Sequence, residues 1–228
     1  MEHEKLHKFE SIISYVFKDM KLLIQALTHS SYANENSLKK IDNNERLEFL
    51  GDAVLEIITS DFLYKKYPNL LEGELTKIRA SIVCEPTLAD VAREIGLGNF
   101  LLLGKGEDIS GGRNRDSVLS DAIEALLGAI YLDGGMLSAY KFIEEMILTD
   151  AEERKRFVDS KTHLQEHIQQ ISDVPIEYVV ISESGPDHNK SFSIEIHHEG
   201  MIIGAGTGRS KKIAEQHAAF DALNKIKS

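Results

Sequence analysis

At 228 residues the chain has room for one large domain or two modest ones, and with 42% hydrophobic and 28% charged residues and 4 Pro it has the composition of a folded globular protein. No run of about 20 apolar residues marks a membrane span, and the charged opening MEHEKLHKFE lacks the apolar core and cleavage site of a secretory signal, so a cytoplasmic protein is expected. The single cysteine, Cys84, excludes an internal disulfide and a multi-cysteine zinc site, and the net charge of −11 speaks against a nucleic-acid partner unless cations are gathered locally.

Up to about residue 150 apolar side chains recur at spacings of three and four, which predicts helices over 8–17, 21–27, 45–64, 74–84, 86–95, 117–132 and 137–146. The polar or Gly-rich stretches 34–43 and 104–116 are expected to be loops. At 151–160, AEERKRFVDS has few apolar residues and is expected to be a linker or a frayed helix end. Beyond it the pattern changes: HLQEHIQQI has helical spacing, IEYVVIS, SFSIEIH and MIIGAG have strand character, and SKKIAEQHAAFDALNKI is helical again. That order predicts a small antiparallel sheet with both helices on one face. The chain thus divides into an all-α domain over 1–150, a linker over 151–160 and an α+β domain (α-β-β-β-α) over 161–228. From Ser160 onward 7 Lys and Arg stand against 9 Asp and Glu, but GRSKK concentrates Arg209, Lys211 and Lys212.

The chemistry-bearing feature is acidic. In NNERLEFLGDAVLEII, residues 43–58, Glu45, Glu48 and Asp52 fall at roughly 0°, 300° and 340° around a helix, so they share one stripe. Like charges at such spacings cost about 0.2–0.5 kcal/mol per pair in an isolated helix, and a metal ion would offset that cost. A second pair, Asp121 and Glu124 in SDAIEALLGAIYLDGG, repeats the spacing among small and apolar residues. Five carboxylates on two otherwise apolar helices could form an oxygen-rich cage for a hard ion such as Mg²⁺; equally, such acids can face solvent or cap neighbouring helices. A di-iron bundle would need Glu-x-x-His on two helices, which neither acidic helix supplies. HEKLH at residues 3–7 matches a zinc-protease pattern, but at the extreme N-terminus and without a third ligand. GAGTGRSKK fits neither dinucleotide-binding nor P-loop spacing, and His29 in THSS is expected to be a hydrogen-bonded packing residue. Gly51, inside the first acidic helix, costs about 1 kcal/mol relative to Ala, which points to a close helix or subunit approach.

NERLEFLGDAVL resembles the signature of the ribonuclease III family, and SDAIEALLGAIYLDGG resembles its second acidic motif. ALTHSSY, EGELTKIRASIV and GGRNRDS resemble further family segments in the same order, and THLQEHIQ, GPDHNKSF and GTGRSKKIAEQHAA resemble a double-stranded RNA-binding domain. The likeness covers nearly the whole chain and is to the bacterial, two-domain type. It implies a helical catalytic domain in which Glu48, Asp52, Asp121 and Glu124 are the metal-binding and catalytic acids, with Asp52 and Glu124 the active pair and Glu45 and Glu72 supporting an acidic cleft. Mg²⁺ is the implied cofactor, with Mn²⁺ as a substitute.

The resemblance also implies a homodimer in which Phe49 enters a pocket on the partner subunit, with the two sites cutting the two strands to leave 5′-phosphate and 3′-hydroxyl ends and a two-nucleotide 3′ overhang. Thr162, Gln165, Glu166 and His188 are implied to meet the minor grooves of duplex RNA, and Ser210, Lys211 and Lys212 its phosphates. The expected activity is double-strand-specific endoribonuclease action on rRNA precursors and other structured transcripts, with no small-molecule substrate and no membrane partner. The alternative is a non-catalytic duplex-binding protein of the same fold; a lost activity would tolerate loss of the four acids, and all four are present.

Overall fold

A computed structural model describes residues 2–149, 151–185, 190–208 and 210–226. The chain forms two compact units, Met1–Ala151 and Glu152–Ser228.

The first unit is helical: α1 (Glu2–Ile12), α2 (Met20–Ala26), α3 (Ser30–Glu35), α4 (Glu45–Lys66), α5 (Glu72–Ile82), α6 (Glu85–Glu94), α7 (Lys105–Ile109) and α8 (Asp116–Met146). Its centre is α8, whose Ala122, Ile123, Ala125, Leu126, Leu127, Ala129 and Ile130 are buried almost completely and which packs against α4, α6 and α2. By length and composition α8 could cross a membrane, but half of its most apolar stretch is buried inside this unit, as expected of a core helix. The two helices predicted over 117–132 and 137–146 are the arms of α8, separated where Gly135 takes φ +77°. Just before that break, the Asp133 carboxylate accepts from the Tyr15 hydroxyl at 2.7 Å and from the backbone N–H groups of Lys18 and Asp19 at 3.0 and 2.8 Å. These bonds fasten the turn between α1 and α2 to α8.

The first helix ends at Ile12, five residues earlier than its apolar spacing predicts. Phe9, Ile13 and Phe17 are all buried, but Ser14 turns the chain at φ +52° and the buried Glu10 carboxylate accepts the Phe17 N–H at 2.8 Å. A turn therefore delivers Phe17 to the core. The expected loop over 104–116 contains α7 and a 3₁₀ turn, Gly112–Asn114. Tertiary contacts order it: Glu35 caps α7 by accepting the Lys105 N–H at 2.9 Å, and Arg113 pairs with Asp108 while donating to the carbonyls of Gly98 and Leu101. The stretch 34–43 likewise holds the end of α3 and a 3₁₀ turn, Lys40–Asp42.

The second unit comprises α9 (Ala151–Ile171), β1 (Glu177–Ser184), β2 (Ser191–His198), β3 (Met201–Gly208) and α10 (Lys211–Ile226). The segment 151–160, expected as a linker or frayed helix end, is the opening half of α9; its Ala, Glu, Lys and Arg residues are good helix formers even without an apolar stripe. The strands form an antiparallel sheet in the order β1-β2-β3, with Ile194 opposite Val180 on one side and Gly206 on the other. Leu164 and Ile168 of α9, Phe192, Ile194 and Ile196 of β2, and Ala214, Ala218 and Ala222 of α10 make one core. Both helices therefore cover the same face of the sheet, as the element order predicts. A Cβ on Gly204, Gly206 or Gly208 would collide with the backbone of α10 around Ala214 and Ala218, so the glycine row lets this helix lie directly on β3.

Candidate active site and RNA-binding face

The acidic stripe of α4 meets α8 because of two glycines. A Cβ on Gly51 would overlap the Glu124 carbonyl and lie 2.9 Å from the Gly128 nitrogen, and a Cβ on Gly128 would overlap the Leu47 carbonyl. The close approach expected at Gly51 is thus a helix–helix crossing. Glu48 and Asp52 flank Gly51 on α4, while Asp121 and Glu124 lie just before Gly128 on α8. One carboxylate oxygen each from Glu48, Asp121 and Glu124 lies within 4.8 Å of the others, all three side chains being half-buried.

Among the described residues no lysine or arginine forms an ion pair with this trio, and its protonation behaviour reflects that. Burial pushes Glu48 up to about 7, with Asp121, Glu45 and Asp52 adding like charge. Burial pushes Glu124 up to about 8, and Asp52 is the strongest of its charged neighbours, ahead of Asp121 and Glu48. Asp121 is raised by burial and by Glu85, against the opposing effects of Ser120 and His29. Three carboxylates that resist ionisation together could hold a metal ion, whose charge would relieve their repulsion. The oxygen-only donor set fits a hard divalent ion rather than zinc or copper.

The other sequence-predicted acids stand at different depths. Asp52 is exposed, outside the tight trio, but acts electrostatically on both Glu124 and Glu48. Glu45 is exposed at the start of α4 and acts on Glu48. Glu72 is not brought to the trio; it opens α5, where its carboxylate accepts from the Thr76 hydroxyl at 2.9 Å. Phe49 points away from the core with 81% of its surface exposed, and Ile57 and Tyr64 follow it on α4 at 56% and 74%. So large an apolar stripe on one helix is unusual for a surface that meets only water.

In the second unit Thr162, Gln165 and Glu166 are exposed on α9, opposite the buried Leu164 and Ile168. Ser210 begins α10 as its cap, accepting the Ile213 N–H at 3.3 Å. Lys211 is exposed, with its ammonium 5.9 Å from the centre of the Phe192 ring. His188 and the side chain of Lys212 lie outside the described residues.

Residues 19–151 match the ribonuclease-III-like family model, and residues 160–226 match that of the double-stranded RNA binding motif. Ribonuclease 3 of Pelotomaculum thermopropionicum is 51% identical over 226 residues, 97% of this chain and 93% of its own. The chain belongs to the ribonuclease III family. Ribonuclease 3 of Streptococcus pneumoniae is 54% identical over 92% of this chain and 91% of its own. Among solved structures, the nuclease domain of ribonuclease III from Campylobacter jejuni, described for flexibility in a region involved in dimer formation, aligns with a TM-score of 0.58 at 44% identity, covering 62% of this chain and 94% of that one. The family models place the nuclease likeness on the helical unit and the RNA-binding motif on the α-β-β-β-α unit.

Sequence reasoning missed two groups at the cleft. Glu85, exposed at the start of α6, and His29, the cap of α3, both act electrostatically on Asp121. Nothing in their local sequence spacing relates them to the acidic motifs. Folding alone brings them there.

Proposed function

We propose that the chain is a Mg²⁺-dependent endoribonuclease that hydrolyses phosphodiester bonds in double-stranded RNA, leaving 5′-phosphate and 3′-hydroxyl ends with short 3′ overhangs. Its substrates are rRNA precursors and other structured transcripts in the cytoplasm, and it works as a homodimer. The observation that carries this reading is the convergence of Glu48, Asp121 and Glu124 from two helices, joined in one chain to a double-stranded RNA-binding motif.

Glu48, Asp121 and Glu124, with Asp52 beside them, would hold the ion; Mn²⁺, another oxygen-seeking ion, can substitute. When bound, the ion supplies a lowered pKa to an attacking water and neutralises charge on the scissile phosphate. The protein's own part is to converge the carboxylates by the glycine crossing and to keep them half-buried, where their charge demands a counter-ion. Asp52 and Glu124 are the pair assigned to the reacting centre. Glu45 and Glu72 extend the acidic rim. Without a divalent ion the same acids repel RNA, so binding then depends on the second unit.

A-form RNA buries its base edges in a deep, narrow major groove, and a domain of this type spans about 16 base pairs through 2′-hydroxyls and phosphates. The exposed row Thr162, Gln165 and Glu166 suits minor-groove hydroxyls, together with His188. Ser210, Lys211 and Lys212 present a helix N-terminus and two cations to phosphate. Phe49 heads the apolar stripe that a second copy would cover.

Incubation of an end-labelled duplex with Mg²⁺ or with chelator tests the reading. Cleavage is expected only with Mg²⁺ and is expected to vanish in Glu124→Gln while duplex binding persists. Undiminished cleavage by that variant would remove the site assignment, and binding without cleavage by the wild type would favour a non-catalytic RNA-binding protein.

A further inference from the structure

The THSS segment, residues 28–31, lies beside the start of the acidic helix α4, and it is bound both to the residue that precedes that helix and to the segment 102–104. The Thr28 carbonyl accepts the Asn44 N–H at 2.9 Å, one residue before Glu45 and one helical turn before Glu48. The His29 N–H donates to the Leu102 carbonyl at 3.1 Å, and Leu102 returns a bond to Leu27 at 2.8 Å. The Ser31 hydroxyl accepts the Gly104 N–H at 2.9 Å. The His29 ring is half-buried on this fixed base, and it interacts electrostatically with Asp121.

Its tautomer follows from its neighbours. The Ser31 N–H, which can only donate, points to Nδ1 at 3.2 Å. The Ser31 hydroxyl lies 2.8 Å from the same nitrogen, and since it already accepts from Gly104, its own proton is available to Nδ1. Both neighbours make Nδ1 an acceptor, so the neutral imidazole carries its proton on Nε2. No side chain or backbone group of the described residues is found paired with that N–H.

A phosphate entering the cleft meets carboxylates, which when ionised only accept hydrogen bonds. It needs donors. Building on the nuclease reading above, we propose that His29 is a substrate-binding residue of the cleavage site, its Nε2–H donating to a non-bridging phosphate oxygen of the RNA strand held at Glu48, Asp121 and Glu124. The two ring nitrogens divide the work: Nδ1 caps α3 and fixes the ring, and Nε2 meets the substrate. A donor held this way needs little reorganisation when the phosphate arrives.

The division is testable because two amides mimic the two nitrogens. His29→Asn places a cap acceptor where Nδ1 sits, Asn being a preferred N-cap, and removes the outward donor. His29→Gln retains an amide N–H with the reach of Nε2. Full-length wild type and both variants are compared by melting temperature, by the dissociation constant for a duplex of about 30 base pairs in chelator, and by single-turnover cleavage at saturating protein with Mg²⁺. The Asn variant is expected to melt close to wild type, bind the duplex equally and cleave about tenfold more slowly or worse, the loss of one hydrogen bond to a charged group. The Gln variant is expected to keep more of the rate despite a weaker cap. Cleavage by His29→Asn within about twofold of wild type overturns the contact and leaves the nuclease reading standing. So does a rate that tracks melting temperature across the variants, since a purely structural residue would behave that way. A wild type that binds duplex but never cuts it overturns the nuclease reading and this contact together.

Discussion

Replacing Glu124 by Gln separates the two demands on the acidic cluster, holding a cation and existing without one. Burial and the charges of Asp52, Asp121 and Glu48 push the Glu124 carboxyl up to about 8, whereas in the unfolded chain a glutamate titrates near about 4.3. Between those values the native state holds a proton that the unfolded state has released, so stability falls as pH rises through the window. Below it both states are protonated and the group contributes nothing; above it the whole ionisation penalty is present. At about 1.36 kcal/mol per pH unit that penalty is at most about 5 kcal/mol, and solvent screening at a half-buried cleft reduces it to on the order of 2 kcal/mol.

Glu124→Gln removes the charge at nearly constant volume. In chelator at about pH 8.5 the variant is therefore expected to melt about 4–8 °C above wild type, the shift that on the order of 2 kcal/mol produces in a domain of this size. At about pH 4.5 the difference should nearly vanish. Millimolar Mg²⁺ should reverse the order, because a ligand of the native state stabilises by mass action and the variant binds it less well. Calorimetry of the full chain at the two pH values, with and without the ion, decides the matter. A variant less stable than wild type in chelator at about pH 8.5, or a difference that ignores pH, would refute the reasoning.

Gly51→Ala drives a methyl group into the Glu124 carbonyl, and about 1–3 kcal/mol of destabilisation is expected in denaturant unfolding, the usual cost of overpacking, despite alanine's better helix propensity. Lys211→Ala with Lys212→Ala is expected to weaken duplex binding and to flatten the dependence of log K on log salt by up to about two counterions; an unchanged slope would discard these phosphate contacts. Phe49→Ala should raise the dimer dissociation constant, measurable by sedimentation, while leaving the fold of each subunit intact. Burial pushes the Asp133 carboxyl up, but its bonds from Lys18, Tyr15 and Asp19 outweigh that and hold it below the usual carboxylate range. Its contribution is thus present above about pH 4 and lost as pH falls through its lowered value. Asp133→Ala should cost about 2 kcal/mol at neutral pH, and equal stability of the two proteins there would show that the turn between α1 and α2 is held otherwise.

The parts of the fold legible in the sequence are those written as local periodicity. The apolar spacing of α4, α6 and α8 and the alternation along β2 could be read directly, and the glycine at the α4–α8 crossing announced itself by its cost within a helix. Phe17 could not be placed, because its burial depends on Glu10 catching a backbone N–H after the chain has turned. Nor could α7, whose capping carboxylate comes from Glu35, some seventy residues away. The acids of the candidate site were visible as two helical stripes, but spacing alone could not distinguish a cage from a solvated face. The crossing of α4 on α8 sets Glu48 among Asp121 and Glu124 and leaves Glu45, Asp52 and Glu72 outside that trio, an arrangement that only folding produces. His29 shows the same limit from the other side. Its local sequence supports only a hydrogen-bonded packing residue, and its second nitrogen gains meaning from residues far along the chain.

The two units solve a common problem by the same means. A functional helix must be brought closer to its neighbour than side chains allow, and each unit removes the side chains at the contact. On α4 and α8 the omission at Gly51 and Gly128 converges acids whose repulsion opposes the approach, so the apolar packing of Leu47, Val54, Leu55 and Ile58 against α8 must supply the difference. On β3 the omission at Gly204, Gly206 and Gly208 seats α10 on the strand and aims its capped N-terminus outward with Lys211 beside Phe192. The consequences differ in sign. Loss of a glycine at the crossing relaxes a strained acidic cluster and should weaken the hold on the cation, whereas loss of one on β3 displaces a helix end whose partial positive charge favours phosphate. Gly206→Ala is therefore expected to reduce duplex affinity without changing the Mg²⁺ concentration needed for half-maximal cleavage, and Gly51→Ala to raise that concentration while leaving duplex affinity in chelator unchanged. Measuring both quantities in both variants tests the separation, and a Gly206→Ala protein with altered Mg²⁺ demand would show that the two units do not act independently.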